Sequence, residues 1–342
     1  MKDERLNVGI IGAGRIGKVH AENLAFRVPE ERALAITDLN HDAAERVAAR
    51  CGIPTVAASV DQILSDSAIR AVLICASTDT HADLIVRAAQ AGKHIFCEKP
   101  IAHSLAKIDA ALAAVRQAGM KLQIGFNRRF DPNFARVRAA VANGEIGTPR
   151  LLHIISRDPA PPPVSYVKVS GGIFLDMTIH DFDMARFLIG DEVEEIYTAG
   201  GVMVDPSIGA AGDLDTALVV LRFRNGVIGT IDNCRQAAYG YDQRAEILGS
   251  AGSIATANCY PNEATISTGQ SVRRDLPLNF FMDRYTDSFA NEVRAFVQAV
   301  VEDKPTPVSG MDGRIPVVMG LAARKSYDEH RPVKLSEISD LH

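Results

Sequence analysis

The stretch Leu6–His20, LNVGIIGAGRIGKVH, decides the fold of this chain. Its apolar start, Val8–Ile11, is typical of a buried parallel strand. The pattern Gly12-Ala13-Gly14-Arg15-Ile16-Gly17 follows at once, and a helix-compatible run begins behind it. A glycine-rich turn between a strand and a helix is typical of the phosphate-binding loop of a dinucleotide-binding fold.

Each of the three glycines has a physical role in such a loop. Gly12 permits a tight turn, Gly14 lets the backbone approach a pyrophosphate, and Gly17 lets the helix pack close to the strand. The helix N-terminus then offers free N–H groups to the phosphates. The alternative is a structural turn that binds nothing, because glycine-rich turns are common.

An acidic residue follows the second strand at the spacing expected of a ribose-binding carboxylate. The strand Ala33–Thr37 ends in Asp38, about 20 residues after the glycine pattern. A carboxylate there accepts hydrogen bonds from a ribose 2′-hydroxyl and repels a 2′-phosphate. No arginine occurs in Leu39-Asn40-His41, so the sequence predicts NAD rather than NADP.

Composition narrows the class of protein. The 342 residues suggest two domains of about 150 residues each. The net charge of −5 argues against a nucleic-acid partner, which would need a concentrated basic face. The five scattered cysteines indicate reduced thiols and a cytoplasmic location. Neither a membrane helix nor a secretory signal is expected, because apolar runs are short and charged Lys2–Arg5 leads straight into a strand.

Two patterns divide the chain near Gly125. Residues 1–125 alternate strands with helices, which predicts an α/β domain with a doubly wound parallel Rossmann sheet. A polar stretch, 126–132, ends the alternation. Residues 126–342 then contain consecutive strands without crossover helices, which predicts an α+β domain with a largely antiparallel, open sheet. We expect the first domain to bind the dinucleotide and the second to bind substrate.

Polar residues follow the strand Ala71–Ala76 at the edge of the sheet where ligands bind. Thr78 or Thr80 could simply cap the next helix. Alternatively, Ser77 and Thr78 form a polar rim beside the nicotinamide and its ribose. One residue can do both, so the two interpretations remain open.

A charged pair directly follows the strand His94–Cys97. Glu98 and Lys99 precede Pro100, which disfavours α geometry at Lys99 and holds it in an extended backbone. An ordinary surface pair would have the same composition. The functional interpretation is a lysine directed into the cleft at the carboxyl edge of the sheet.

The predicted helix Phe174–Leu188 carries Asp176, His180 and Asp183. Residues three and four apart share a helix face, so these side chains are expected to lie together. They could form an ion pair on a solvated face, or a site for a divalent ion. They could also form an acid/base pair, because a carboxylate orients an imidazole and stabilises its protonated form.

These residues support a hydride-transfer mechanism without a metal. A nicotinamide accepts hydride from a carbinol carbon while a base takes the hydroxyl proton. His180 is the candidate base, and Asp176 holds it in place. Lys99 would stabilise the developing alkoxide charge.

The motifs above, together with His20, Glu98-Lys99-Pro100 and the run Gly171–Asp181, resemble the Gfo/Idh/MocA oxidoreductase family over nearly the whole chain. Within that family the chain is similar to the inositol 2-dehydrogenases. The resemblance implies Lys99, Asp176 and His180 as the catalytic set. It implies cofactor contacts from Gly12, Gly14, Arg15, Ile16, Gly17, Asp38, Ser77, Thr78, His81 and Glu98. It implies substrate contacts from Lys99, Asn127, Arg128, Asp158, Asp176, His180, Asp183 and Tyr239, with Tyr241 able to replace Tyr239.

The expected activity is therefore NAD-dependent oxidation of a cyclic polyol, with myo-inositol and its 2-ketone as the leading pair. Scyllo-inositol, chiro-inositol or an aldose are alternative substrates. A non-catalytic NAD-dependent sensor is the alternative from another class. The resemblance also implies a homo-oligomer, a tetramer or dimer, packed through the open face of the second sheet. Whether the loop at Pro159–Pro163 covers the cleft is left open by the sequence.

Overall fold

The computed structural model describes residues 5–339. The prediction against a secretory signal rests on Lys2–Arg5, and of these residues only Arg5 lies within the described range. Within residues 5–339, none of the helices has the length and apolar character needed to cross a bilayer.

The helices and strands follow one another along the chain in three groups. The first group is β1 (Leu6–Ile11), α1 (Arg15–Phe26), β2 (Glu31–Thr37), α2 (His41–Cys51), β3 (Thr55–Val56), α3 (Val60–Ser65), β4 (Ala71–Ile74), α4 (Thr78–Gln90), β5 (His94–Glu98), α5 (Leu105–Ala118) and β6 (Leu122–Gly125). The second is α6 (Pro132–Ala142), β7 (Pro149–Arg157), α7 (Val164–Val167), α8 (Gly172–Asp176), α9 (Thr178–Ile189), β8 (Val193–Gly201), α10 (Pro206–Ala210), β9 (Thr216–Phe223) and β10 (Ile228–Cys234). The third is β11 (Asp242–Gly249), β12 (Ser253–Ala255), β13 (Thr265–Ser267), β14 (Val272–Arg274), α11 (Phe281–Arg284), α12 (Thr286–Val301), α13 (Gly310–Glu329) and β15 (Val333–Lys334).

Contacts divide the chain into two units. The first contains the residues up to 130 together with 287–314, and the second contains 131–286 together with the residues from 315 on. This differs from the single boundary expected at residue 125. The physical reason is that α12 buries its apolar face, including Val293, Phe296 and Val300, in the core of the first unit.

The first unit has the predicted parallel Rossmann sheet. Its six strands lie in the order β3-β2-β1-β4-β5-β6, and every neighbouring pair is parallel. All strands therefore end at the same edge, which is the edge where doubly wound sheets bind ligands. The short strand β3 was absent from the sequence prediction. The glycine loop, Asp38, Ser77 and Glu98 all lie at or just beyond these carboxyl ends.

The second unit has the predicted, largely antiparallel sheet. Its order is β12-β11-β7-β10-β9-β8-β15, and only β7 and β10 are paired in parallel. Helix α9 packs against β7 and β10 on one face. The opposite face is open within this chain. Along β9, for example, Val219 and Leu221 are buried, whereas Leu218 is 48% exposed.

The predicted helix Phe174–Leu188 is wrong in one respect, because the structure has two helices there. α8 ends at Asp176 and α9 begins at Thr178, with Met177 between them at φ −97° and ψ −61°. The Thr178 hydroxyl lies 2.6 Å from Asn233 Oδ1 on the sheet and 3.2 Å from the Ile173 carbonyl oxygen in α8, so it links the junction of the two helices to β10. The three-and-four spacing of one continuous helix therefore does not apply to Asp176 and His180.

Candidate active site

The predicted site residues are divided between the two units, and each set is described by itself. The first unit carries the residues expected to bind the cofactor, together with Lys99, Asn127 and Arg128. The second unit carries Asp158, Asp176, His180, Asp183 and Tyr239.

Two of the loop glycines are required by the packing of the chain itself. Gly12 has φ +106°, and a Cβ there would lie 2.5 Å from the carbonyl oxygen of Cys75. A Cβ on Gly17 would lie 2.0 Å from the carbonyl oxygen of Gly12. Both distances are far below van der Waals contact. These glycines therefore hold the turn, the strand and α1 together.

Gly14 is different, and it carries the argument for a ligand. Its backbone is extended, with φ −69° and ψ −165°, and a Cβ there would meet no atom of the chain within 4 Å. Nothing in the fold requires glycine at this position. It lies at the N-terminus of α1, where backbone N–H groups have no helical partner. The open space leaves room for a pyrophosphate to approach the backbone closely. Arg15, which is exposed, and Ile16, which is half-buried, are the first residues of the helix beside it.

Asp38 is joined to the glycine loop. Its Oδ2 accepts a hydrogen bond from the Ala13 backbone N–H over 2.6 Å, and its Oδ1 accepts one from Asn40 over 2.7 Å. Each carboxylate oxygen has a second lone pair, so Asp38 can accept further hydrogen bonds from ribose hydroxyls. The side chain is half-buried, and Leu39 beside it is fully exposed.

Ser77 lies at the start of α4, but its hydroxyl does not cap the helix. The Thr80 hydroxyl donates to the Ser77 carbonyl oxygen over 2.8 Å, which is not an N-cap bond either. Ser77 is exposed and Thr78 is half-buried. The simple capping interpretation is therefore not supported, and the interpretation as a polar rim remains.

Both ring nitrogens of His81 face backbone carbonyl oxygens. Its ring is 1% exposed, with Nδ1 lying 2.8 Å from the carbonyl oxygen of Pro100 and Nε2 lying 2.9 Å from that of Ala76. Both nitrogens are thus occupied by backbone carbonyls. His81 holds the segment after Lys99 against the end of β4, rather than offering its ring nitrogens to a cofactor.

Glu98 and Lys99 lie at the end of β5. The Glu98 carboxylate accepts a hydrogen bond from His20, with Oε1 lying 2.7 Å from Nε2. Lys99 is half-buried and precedes a cis peptide bond to Pro100. Asn127 and Arg128 are each 5% exposed on a short helical turn after β6, so they are not surface residues.

In the second unit, Asp176 is held by two side chains from other segments. Its Oδ1 accepts a hydrogen bond from the Tyr166 hydroxyl over 2.9 Å, and its Oδ2 accepts one from Arg235 Nη1 over 3.1 Å. Arg235 is 1% exposed and also reaches Asp213, 3.5 Å away. Sequence analysis missed both Arg235 and Tyr166. The signal for Arg235 was available, because it is a charged residue directly after the buried strand β10.

Helix α9 presents buried acids to the sheet. Asp181 and Asp183 are both fully buried, and Asp181 accepts a hydrogen bond from Asn233 Nδ2 over 2.8 Å. His180 is half-buried beside them. Asp183 therefore does not lie on a solvated helix face. Of the residues that the structure describes, the group close enough to share one ion is His20, Glu98 and Glu292, rather than the set on α8 and α9.

Tyr239 and Asp158 lie near the end of the second sheet. The Tyr239 hydroxyl bonds to Arg157 over 3.0 Å and to Asp242 over 2.5 Å. Arg157 and Asp242 lie on the open face, opposite to the one that packs against α9. The predicted substrate contact of Tyr239 is therefore not supported by its bonds within this chain. The Asp158 backbone N–H donates to the Cys234 carbonyl oxygen over 3.0 Å, and the Asp158 carbonyl oxygen accepts from the Ala237 N–H over 2.7 Å.

Tyr241, the alternative to Tyr239, is 7% exposed. Its ring packs edge-on against Tyr285, with 6.1 Å between the ring centroids.

Two family models match successive parts of the chain. Residues 6–126 match the oxidoreductase family with an NAD-binding Rossmann fold, and residues 134–255 match the GFO/IDH/MocA C-terminal domain. The first range contains the glycine loop, Asp38 and Lys99. The second contains Asp176, His180 and Arg235. The predicted site residues of each unit thus lie in a matched region.

Relatives match over nearly the full length of the chain. A myo-inositol 2-dehydrogenase from Thermotoga maritima is 47% identical over 97% of this chain and 99% of its own. A crystal structure of a myo-inositol dehydrogenase from Corynebacterium glutamicum is 38% identical with a TM-score of 0.93, covering 97% of this chain and 99% of that one. A scyllo-inositol dehydrogenase from Lactobacillus casei, with NAD(H) and scyllo-inositol bound, is 29% identical with a TM-score of 0.90 over 97% and 99%. Because both family models match and relatives align over nearly its full length, the chain belongs to the Gfo/Idh/MocA family of NAD-binding oxidoreductases.

Proposed function

We propose that this protein is an NAD-dependent inositol 2-dehydrogenase that oxidises myo-inositol to its 2-ketone. The observation that carries the proposal is the position of Asp176 and His180. They lie in a largely buried, hydrogen-bonded part of a chain that is 47% identical to a myo-inositol 2-dehydrogenase. NAD supplies the acceptor for the hydride when it is bound.

His180 is proposed as the base that takes the hydroxyl proton. A neutral imidazole is suited to this role near pH 7, and it returns the proton in the reverse direction. Asp176 is proposed to orient His180. Its own position is fixed by Tyr166 and Arg235, so little reorganisation is needed during the reaction. Lys99 is proposed to stabilise the negative charge that develops on the same oxygen.

The first unit is proposed to bind the dinucleotide, and the second to bind the polyol. Gly12, Gly14, Gly17 and Asp38 are the proposed contacts to the pyrophosphate and ribose. For the polyol we propose Asn127, Arg128, Asp158 and Asp183 in addition to the catalytic set. A ring that carries a hydroxyl on each carbon needs many such hydrogen-bonding groups, because each unmatched buried hydroxyl weakens binding. Tyr239 is left out because its hydroxyl bonds to Arg157 and Asp242.

The second candidate activity is oxidation of a different stereoisomer. The scyllo-inositol dehydrogenase from Lactobacillus casei shares the fold at 29% identity, so the same framework accommodates that substrate in a relative. Chiro-inositol and aldoses belong to the same alternative. A sensor without catalysis is disfavoured, because Lys99, Asp176 and His180 are all present.

The test is the rise of NADH absorbance with NAD and, separately, myo-inositol, scyllo-inositol, chiro-inositol and glucose. Turnover highest on myo-inositol is the expected result. Turnover only on another polyol would overturn the substrate and retain the mechanism. Bound NAD without turnover on any of them would favour the sensor.

We further propose a homo-oligomer formed through the open face of the second sheet. Apolar side chains on that face are unusually exposed, including Leu218 at 48%, Ile228 at 49% and Leu248 at 41%. Contiguous apolar surface of this kind is typical of an interface between subunits. Light scattering of the protein and of Leu218→Glu tests it, with a smaller particle expected for the variant. A monomeric parent protein would contradict the proposal.

A further inference from the structure

Three ionisable side chains meet in the core of the first unit, beneath the carboxyl end of β5. His20 lies on α1, Glu98 ends β5 and Glu292 lies on α12, and their nearest ligand atoms are all within 4.8 Å of one another. Sequence analysis singled out His20 and Glu98 but gave no role to Glu292. The proposed mechanism uses neither His20 nor Glu292.

The three groups differ in their hydrogen bonds and exposure. His20 Nε2 lies 2.7 Å from Glu98 Oε1 and 4.0 Å from Glu292 Oε1, so the hydrogen bond goes to Glu98. The side chains of His20 and Glu292 are completely buried, whereas that of Glu98 is 13% exposed. Aromatic rings enclose the imidazole, since Phe96 and Phe289 pack edge-on at centroid distances of 5.1 and 6.0 Å.

Glu292 has no conventional structural role. Among the described residues, neither of its carboxyl oxygens has a hydrogen-bond partner, and His20 Nδ1 has none either. Buried polar atoms without partners destabilise a fold, and they are often retained for function. Burial raises the pKa of Glu292 well above its usual range, and the nearby Glu98 carboxylate raises it further. Of the two carboxyl groups, Glu292 is therefore the one whose surroundings favour the protonated form.

The other titratable groups around the cluster do not compete for this proton. Cys75, directly after β4, lies near both glutamates, and Cys97 on β5 lies near Glu98; burial raises the pKa of both thiols. Both cysteines stay neutral at physiological pH. Neither thiol is therefore the source of a proton that the cluster exchanges.

We propose that Glu292 and His20 are further residues of the cofactor site, and that the cluster loses a proton when the oxidised cofactor binds. This rests on the proposed function, which puts Glu98 in the cofactor site. The nicotinamide of NAD⁺ carries a positive charge, and a positive charge near two carboxyl groups favours their ionised forms. NADH is neutral at that ring and does not. Because NAD⁺ binding releases a proton, the affinity for NAD⁺ should increase as pH rises through the titration of Glu292, whereas the affinity for NADH should not depend on that titration.

Isothermal titration calorimetry in two buffers of different ionisation enthalpy measures the protons exchanged on binding. Measured over a series of pH values, NAD⁺ binding is expected to release a fraction of a proton, and NADH binding is expected to release none. Glu292→Gln is nearly isosteric and cannot ionise, so NAD⁺ should still bind while the proton release is lost.

Glu31→Gln is the matched control. Glu31 is 2% exposed, burial raises its pKa well above the usual range, and its carboxyl oxygens also have no partner among the described residues. It begins β2 and therefore lies at the amino edge of the sheet, opposite to Glu98. This variant should release protons as the parent does.

The outcomes separate this inference from the function on which it rests. Equal proton release by the parent and Glu292→Gln, or no release by the parent at any pH, would overturn the role of the cluster. Failure of the parent to bind NAD⁺ at all would instead overturn the proposed function. If Glu292→Gln is unstable, the pH dependence of NAD⁺ and NADH affinity in the parent provides the same test, and identical profiles would overturn the inference.

Discussion

Arg235 donates a hydrogen bond from Nη1 to Asp176 Oδ2 over 3.1 Å, from a side chain that is 1% exposed. The bond joins the residue after β10 to the last residue of α8. It means that the position of Asp176 is set by the sheet as well as by its own helix. Arg235 is thus a positioning residue for the proposed catalytic set.

Arg235→Lys should lower kcat by about 10–100-fold, because lysine cannot reproduce the guanidinium geometry and small displacements of catalytic groups are costly. KM for NAD should change little. Steady-state kinetics with each substrate varied provides the measurement. Arg284→Lys is the matched control, since Arg284 is similarly buried and bonds to Asp131 at 2.5 Å. Equal losses of kcat in both variants would show that Arg235 has only a structural role.

Gly14→Ala should weaken NAD binding but not the fold, whereas Gly17→Ala should destabilise the fold. The Gly14 variant should keep its unfolding free energy within about 0.5 kcal/mol and lose NAD affinity, because its Cβ occupies the open space. The Gly17 variant should be destabilised by about 1–3 kcal/mol, because its Cβ would be 2.0 Å from the Gly12 carbonyl oxygen. Thermal unfolding and NAD titration measure the two effects. Unchanged NAD affinity in Gly14→Ala would argue against phosphate binding there.

Asp38→Ala should relax the preference for NAD over NADP. The substitution removes both the acceptor for ribose hydroxyls and the charge that repels a 2′-phosphate. Because Asp38 also accepts from Ala13, some loss of NAD affinity should accompany the change. The ratio of kcat/KM for the two cofactors is the measurement, with Asp42→Ala as a control for the loss of a nearby acid. A ratio unchanged by Asp38→Ala would refute the assignment.

Lys99→Ala should leave NAD binding nearly intact and lower turnover by about 10²–10⁴-fold, because the cation acts on the reacting oxygen. Calorimetry gives NAD affinity and absorbance gives turnover. Lys93→Ala is a suitable control, since Lys93 lies just before the amino end of the same strand and donates to the carbonyls of Asp66 and Ile69 at 2.7 Å. Loss of NAD binding in Lys99→Ala would move the lysine to the cofactor site.

Tyr239→Phe and Tyr166→Phe distinguish the two faces of the second sheet. Removing the Tyr239 hydroxyl breaks bonds on the open face, so KM for the polyol should not change. Removing the Tyr166 hydroxyl deprives Asp176 of a donor, so kcat should fall. Kinetics with varied polyol measures both. A raised KM in Tyr239→Phe would instead support the substrate contact that the sequence resemblance implies.

Much of the first unit could be predicted because its signals are local. A buried strand, a glycine turn and a helix start are short-range properties, and Leu6–His20 contains all three. The carboxyl ends of parallel strands necessarily meet at one edge, so Asp38, Ser77 and Glu98 could be assigned to it. The second sheet could be predicted as largely antiparallel because its strands follow one another without crossover helices.

The remaining features depend on contacts between distant segments. Spacing predicted one helix across Asp176 and His180, but Thr178 bonds to Asn233 and the helix breaks at Met177. No local pattern could pair Arg235 with Asp176, because 59 positions separate them. The return of α12 to the first unit, which brings Glu292 beside His20, is equally invisible along the chain.

By itself, the sequence therefore determined the fold class and the cofactor, since these follow from periodicity and from chemistry carried by neighbouring residues. Only the tertiary structure decided which side chains hold one another. It placed Arg235 on Asp176, His81 on Pro100 and the Tyr239 hydroxyl on Asp242. The physical reason is that hydrogen bonds and burial depend on distance in space, which packing of the whole chain sets.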